Sequence, residues 1–156
     1  MTIGQTLLPE FDREMASTRR ILACVPDGKF AWAPHTKLST LGKLADHVAV
    51  IPGFAAMIVY GQGKLPAEAQ SQAELLALLD ANVAMGRAAL VGVSDEHLLT
   101  TVPVAPDLSM LRSDILRMRV FSHMIHHRGQ LSVYLRLLDS VVPGMYGPSA
   151  DEKTPA

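Results

Sequence analysis

The stretch from Ser109 to Ser140 has at its centre Phe121-Ser122-His123-Met124-Ile125-His126-His127-Arg128-Gly129-Gln130. No proline occurs between Pro106 and Pro143, so the stretch predicts one helix over residues 109–140. At 100° per residue, one face of this helix is mostly apolar, and we expect it to line a core. The residues of that face are Leu116, Val120, His123, His127, Gln130, Leu131, Tyr134 and Leu138.

Two histidines, His123 and His127, stand in the middle of this face. Residues four apart lie one turn above the other, so both imidazoles can contact one metal ion. His126 is the rival for the second position, because it lies about 60° to one side of His123, and His127 about 40° to the other. The line of Gln130 and Tyr134 runs between His123 and His127, so we place His126 on the flank.

Three further amphipathic helices are predicted near residues 5–25, 39–60 and 71–92, which gives an all-α four-helix bundle in one domain of 156 residues. The second helix has His47 on its apolar face, and Pro52 predicts a kink there. The third opens with Ser71-Gln72-Ala73-Glu74, which has the pattern of a capping box. A bundle brings the inner faces of the second and fourth helices together, so His47 can converge with His123 and His127.

A single histidine on an apolar face is more often a hydrogen-bonded core residue than a ligand, and His47 alone would be read in that way. Three buried imidazoles without partners are costly, whereas one divalent cation satisfies them all. Three neutral nitrogen donors also leave a coordination position open, as in catalytic zinc sites. The residues do not choose among Zn, Ni, Fe and Co.

The connections and the remaining reactive side chains predict less. Residues 61–69 form a loop, residues 93–108 an irregular connection with a short extended piece near Val102, and the last residues a loose tail. We expect His35 and His97 to be solvated in loops. Arg112 and Arg119 are expected to pair with carboxylates of the bundle, and Cys24 to pack in the core.

The composition excludes several classes of protein. Apolar residues make up 49% and charged residues 19% of the chain, which indicates a compact fold and not disorder. The net charge of −1 without a basic cluster gives nucleic-acid binding no electrostatic support. The one cysteine excludes an internal disulfide, the N-terminus has no apolar signal core, and the apolar segment 48–60 is too short to span a bilayer. We therefore expect a cytoplasmic protein without a membrane partner.

Four pieces of the sequence resemble the DinB/YfiT-like metalloprotein family. They are Phe30-Ala-Trp32-x-Pro34, Leu44-Ala45-Asp46-His47-Val48, His123-Met-Ile-His-His127-Arg128-Gly129-Gln130-Leu131 and Pro143-Gly-Met-Tyr-Gly-Pro-Ser. The resemblance covers nearly the whole chain in order. It implies a four-helix bundle of up-down-down-up topology, a homodimer, and a divalent metal held by three histidines that match His47, His123 and His127.

The resemblance also implies chemistry, because characterised relatives act with low-molecular-weight thiols. Our first hypothesis is a metal-dependent transferase for detoxification that adds such a thiol to an electrophilic small-molecule substrate. Gln130, Tyr134 and His126 are the further candidates for orienting substrate or ligands. The alternatives are a metal-dependent hydrolase of a small ester or amide, which lacks an evident general base, and a stress-related metal-binding protein without catalysis.

Overall fold

The computed structural model of the protein describes residues 1–61 and 68–152. Its elements, in chain order, are α1 (Ile3–Leu22), α2 (Leu41–Val50), a 3-10 turn (Ile51–Gly53), α3 (Phe54–Tyr60), α4 (Gln72–Gly92), α5 (Asp95–Leu98), β1 (Thr101–Ala105), β2 (Leu108–Leu111), α6 (Arg112–Leu116), a π-helical segment (Arg117–Ser122) and α7 (His123–Leu137). The architecture is a helical bundle, as predicted, with one small two-stranded sheet added.

The core lies between the long helices and is built mainly from aliphatic side chains. Phe11 of α1 and Phe121 of the π-helical segment meet edge to face at 6.3 Å between ring centroids. Phe30 and Trp32, in the connection before α2, pack against this core. Helix α1 begins two residues earlier than predicted, because Thr2 and Gln5 form a reciprocal capping box.

The second predicted helix is broken at the expected proline. Helix α2 gives way to the 3-10 turn that contains Pro52, and α3 then continues to Tyr60. Gly86 of α4 has room only for hydrogen at this point, since an added Cβ would lie 2.2 Å from the carbonyl oxygen of Pro52. The kink therefore packs closely on α4 and holds the end of α2 in place.

Helix α4 has the predicted bounds, but its capping box is only half formed. The hydroxyl of Ser71 accepts a hydrogen bond from the backbone N–H of Glu74. The carboxylate of Glu74, however, accepts from the N–H of Gln70 and not from that of Ser71. The predicted loop at 61–69 lies largely in residues 62–67, outside the described part, as do the last four residues of the tail.

The fourth helix begins later than predicted. Residues Ser109 to Leu111 belong to β2, which pairs antiparallel with β1, and the helix starts only at Arg112. The extended piece predicted near Val102 is thus real, but it is one arm of a hairpin. Two residues, Asp107 and the preceding Pro106, connect the strands, and turn chemistry of this kind favours a hairpin over helix extension.

The π-helical segment changes the face that the fourth helix turns to the core. Its wider turn shifts the phase, so Phe121, Met124, Arg128 and Leu135 are buried in addition to residues of the predicted face. His123 and His127 are half-buried at the edge of the core. Seven of the eight residues of the predicted face are buried or half-buried, and Gln130 alone among them is exposed.

Two side chains expected elsewhere cap the end of α3. Arg112 donates a 2.7 Å hydrogen bond to the carbonyl of Ile58, and the Nε2 atom of His97 lies 2.7 Å from the carbonyl oxygen of Val59. His97 is thus half-buried instead of solvated, and Arg112 pairs with a helix end instead of a carboxylate. Arg119 forms no ion pair with any residue in the described part, so that prediction was wrong too.

Two helical stretches, Leu41–Tyr60 and Gln72–Gly92, are long and apolar enough to cross a membrane by length and composition. The first of these stretches begins at Leu41, so it is longer than the apolar segment 48–60 on which the prediction from the sequence was based. Core helices of soluble proteins pass the same test, and 67% of the apolar window in the first stretch is buried. In the second stretch, where 33% is buried, Asp80 and Arg87 form ion pairs with α1. The two stretches are weak evidence for a membrane protein.

Candidate metal centre

Three histidines from two helices meet at one place in the bundle. His47 lies one turn before the 3-10 turn on α2, His123 is the first residue of α7, and His127 follows one turn later. One nitrogen of each ring lies within 4.8 Å of the other two. The structure thus brings together the three histidines that the sequence singled out.

The facing atoms are the Nε2 nitrogens. Nε2 of His123 lies 2.8 Å from Nε2 of His127 and 3.2 Å from Nε2 of His47. Metal–nitrogen bonds of about 2.0–2.1 Å at angles between 90° and 109° separate the donor atoms by about 2.9–3.4 Å. The observed separations are close to that range, so the cluster fits a single divalent ion.

The cluster strongly disfavours protonation. Burial, and then the neighbouring rings of His127 and His123, lower the pKa of His47 to about 4. Burial and His127 also lower the pKa of His123. Neutral imidazoles with lone pairs turned toward one point are the state in which histidine binds metal, so the electrostatics agree with the distances.

One nitrogen of the cluster is left without a partner. Nδ1 of His123 is buried and forms no hydrogen bond of acceptable geometry within the described residues. The backbone carbonyl of Arg119, one π-helical turn earlier, lies near this ring. It opposes the lowering of the pKa of His123 by burial and by His127 but does not reverse it. Nδ1 of His123 is therefore poorly satisfied in this conformation.

Gln130 orients one of the three rings. Its side-chain oxygen lies 2.7 Å from Nδ1 of His127. A proton on Nδ1 can be donated to this oxygen, and the tautomer it fixes leaves the lone pair on Nε2, which points into the cluster. A side-chain acceptor behind a histidine ligand is a recurring feature of metal sites. Gln130 thus supports His127 while its own side chain remains exposed.

Tyr134 and His126, the other two candidates, lie farther from the cluster. The hydroxyl of Tyr134 donates a 3.0 Å hydrogen bond to the carbonyl of Ser39, and its ring packs edge to face on Trp32. Burial raises its pKa, so the hydroxyl stays protonated. His126 is exposed, on the flank as predicted, with its ring centroid 4.9 Å from that of His127.

A pocket of about 520 Å³ opens beside the cluster, and His47 and His127 form part of its wall. Apolar side chains and a few polar groups line the remainder, which is typical of a small-molecule site. The other lining residues are Lys37, Leu38, Ser39, Lys43, Leu44, Gln130, Val133 and Tyr134. His47 and His127 are therefore accessible to a small molecule, as an open coordination position requires.

A buried ion pair that the sequence did not predict lies next to the cluster. Arg128 is 2% exposed and donates to the carboxylate of Glu14 at 2.6 Å, to the carbonyl of Glu14 and to the hydroxyl of Thr18. It also donates to the hydroxyl of Tyr146, which in turn donates to Glu14. Helical spacing from the predicted face gave no signal for this, since Arg128 lies about 100° from His127 around the helix. The pair fixes α7 to α1 beside the histidines.

Comparisons with known proteins agree with this fold. The model of the DinB family matches residues 1–155. A DinB-like protein from Bacillus cereus of known structure superposes with a TM-score of 0.75 at 24% identity, covering 91% of this chain and 97% of its own. A DinB-like protein from Bacillus subtilis superposes with a TM-score of 0.74 at 19% identity, and the match covers 92% of this chain and 98% of that protein. At these identities the likeness establishes the fold. No curated protein matches the chain.

Proposed function

Because the chain belongs to the DinB family, we propose that it is a metal-dependent transferase that adds a low-molecular-weight thiol to an electrophilic small molecule. Proteins of this family generally bind metal. The observation that carries the proposal is the convergence of three Nε2 atoms at the wall of an open pocket. In this proposal His47, His123 and His127 are the ligands of a Zn, Ni, Fe or Co ion.

The protein's own residues prepare the site for such an ion. His47 and His123 supply nitrogen donors without a proton to displace, since burial and the neighbouring rings lower the pKa of both, that of His47 to about 4. Gln130 holds His127 in the tautomer with a free Nε2. When bound, the ion would supply Lewis acidity that lowers the pKa of a thiol. The apolar part of the pocket would receive the electrophile and keep bulk water away.

Hydrolysis is the less supported alternative. It needs a general base within reach of the reacting water. Asp46, the carboxylate nearest in sequence, instead accepts a 3.1 Å hydrogen bond from the N–H of Ala69, and no carboxylate lines the pocket within the described part of the chain. A thiol has a pKa of about 8.5 and water one of about 15.7, so a thiol can lose its proton to the solvent without a general base, and the pocket suits transfer better.

Metal analysis of the purified protein tests the ligands. We expect wild type to hold one divalent ion per chain and His47→Ala, His123→Ala and His127→Ala each to lose it. His126→Ala is the matched control, because it removes an exposed histidine from the same helix, and it should keep the ion. Metal retained in any of the first three variants removes that residue from the ligand set. We expect all four variants to remain folded, because apolar packing supplies most of the burial.

The cobalt-substituted protein tests the reaction class. Addition of a low-molecular-weight thiol should change its visible absorption spectrum, because a sulfur donor alters the ligand field. The same thiol should then be transferred to an electrophile such as chlorodinitrobenzene, and a chelator should abolish the turnover. A fully metallated protein whose spectrum responds to no thiol would refute the transferase. Chelator-sensitive turnover of esters without thiol would favour the hydrolase.

The homodimer implied by the resemblance is part of the same proposal. Val133 and Leu137 lie one turn apart on α7 and are 57% and 58% exposed, and Val141 close by is 62% exposed. Adjacent exposed apolar side chains are typical of protein interfaces. Light scattering of the eluting protein should give twice the mass of one chain, and Val133→Lys should reduce that mass to one chain.

A further inference from the structure

The pocket beside the three histidines has charged residues of one sign only. Lys37 and Lys43 line it, and within the described part of the chain no Asp or Glu does. Neither lysine forms an ion pair with a described residue. Two unpaired cations in a concave wall create a positive potential that attracts anions.

The position of Lys43 relates this charge to the histidines. Lys43 and His47 are four residues apart on α2, so their Cβ atoms lie about 5–6 Å apart on one face of the helix. A group that contacts Lys43 can therefore belong to the same small molecule as a group that lies at His47. Lys43 also lines part of a second, smaller pocket, together with Asp46 and Glu68.

Lys37 is held near the pocket by the loop before α2. The backbone N–H of Lys37 donates to Nδ1 of His35 at 3.1 Å, and the N–H of Leu38 donates to the carbonyl of His35. One residue later, the carbonyl of Ser39 accepts the hydroxyl of Tyr134 from α7. The loop is thus tied both to itself and to the far wall, and this gives Tyr134 a positioning role.

The backbone at the start of α2 offers no competing anion site. The N–H groups of Leu41 and Gly42 donate to the carbonyls of Trp32 and Phe30, and that of Lys43 donates to the hydroxyl of Thr40. With these donors occupied, recognition of an anion in this pocket depends on the lysine side chains.

We propose that Lys37 and Lys43 select a small molecule that carries a carboxylate, and that this molecule is the thiol. The inference rests on the proposed transferase, since it places the sulfur at the histidines and the carboxylate toward the lysines. A carboxylate carried by the electrophile would have the same chemistry, and the experiment separates the two.

The test compares thiols of similar size and different charge on the cobalt-substituted protein. The probes are 3-mercaptopropionate, neutral 2-mercaptoethanol and cationic cysteamine, each titrated by absorption. We expect 3-mercaptopropionate to bind about tenfold more tightly than 2-mercaptoethanol and cysteamine to bind most weakly. In Lys37→Gln/Lys43→Gln that preference should disappear, while the Kd of 2-mercaptoethanol changes less than twofold. Exposed charge pairs are weak singly, so about threefold per lysine is expected.

Lys29→Gln is the matched control, because Lys29 is a described lysine that does not line the pocket. It should keep the wild-type preference. Raising the salt concentration should reduce the preference in wild type and leave the double variant unchanged. Equal affinity of wild type for the neutral and anionic thiols, or a preference retained in the double variant, overturns the proposal while the transferase stands.

If no thiol binds, the proposed transferase fails and calorimetry with 3-phenylpropionate decides the lysine proposal separately. Binding of this carboxylate to metal-loaded wild type, lost in the double variant, would keep the anion site and assign the carboxylate to another substrate. Equal binding to both proteins, or none to wild type, would overturn the anion site as well.

Discussion

Gln130 contacts a histidine of the proposed metal site from outside the cluster. Its oxygen lies 2.7 Å from Nδ1 of His127, yet its side chain is exposed. We expect Gln130→Leu to weaken metal binding about 10- to 100-fold, the usual effect of removing a partner behind a ligand. Gln130→Glu keeps an acceptor at that place and should stay within a few-fold of wild type. Competition with a coloured chelator measures both affinities, and equal loss in the two variants would contradict the orienting role.

The lowered pKa of His47 makes a prediction for the metal-free protein. In the unfolded chain a histidine titrates near 6.5, whereas folded His47 titrates near 4. Between these values the unfolded chain binds more protons, so the free energy of unfolding falls as the pH falls from about 6.5 to about 4. Above about pH 6.5 the contribution of His47 is complete. His123, whose pKa is also lowered, acts in the same direction.

Urea denaturation of chelator-treated protein at several pH values tests this. His47→Ala removes one of the residues that must take up a proton on unfolding, so its free energy of unfolding should depend less steeply on pH between 4 and 6.5. Parallel pH profiles for wild type and His47→Ala would show that His47 does not titrate abnormally in the folded state.

At the scale of single residues, the sequence predicted which histidines lie together but not the contacts that support them. His47, His123 and His127 could be chosen because helical spacing fixes which residues share a face. The role of Tyr134 could not, because its hydroxyl bonds to Ser39, which is 95 positions away in the chain. Contacts of that kind depend on how separate elements pack and have no local pattern.

Among the elements, the fourth helix was the one that pattern alone misjudged. Ser109 to Leu111 continue the helical spacing of apolar residues, but pairing with Thr101 to Pro103 makes them a strand. Short apolar runs fit either structure, and the partner strand decides. The π-helical segment has no signature of its own either, although segments of this kind are frequent at functional sites. It ends at Ser122, directly before the first histidine of the pair.

The C-terminus of α3 is capped by His97 of α5 and Arg112 of α6, and this makes Arg112 a stabilising residue. Arg112 donates to the carbonyl of Ile58 and to the hydroxyl of Thr100. Arg112→Ala leaves that carbonyl without its partner, and we expect the free energy of unfolding to fall by about 1–2 kcal/mol. Arg117→Ala, on the exposed side of the next turn, is the control and should stay within about 0.5 kcal/mol of wild type. Denaturation by urea measures both, and equal effects would refute the cap.

At the scale of the whole molecule, the buried Arg128 joins the first helix to the segment that follows α7. Arg128 of α7 binds Glu14 of α1 and Tyr146 of the C-terminal segment, and Arg136 of α7 pairs with Asp151 farther along that segment. These contacts join parts of the chain that are far apart in sequence, since Glu14 and Tyr146 are 132 residues apart. They fix the turn-rich segment after α7 to the bundle.

Breaking this pair should therefore destabilise the whole fold and release the tail. Glu14→Gln leaves the buried guanidinium of Arg128 without a counter-charge, and we expect a loss of about 3 kcal/mol or more in the free energy of unfolding. Tyr146→Phe removes one neutral hydroxyl and should cost about 1 kcal/mol. Because both act on Arg128, the double variant should lose less than the sum of the two. Urea denaturation gives these values, and faster amide exchange over residues 142–146 should accompany them. Strict additivity, or a tail that exchanges as slowly as in wild type, would mean that the tail is held by its contacts with Arg136 and not by Arg128.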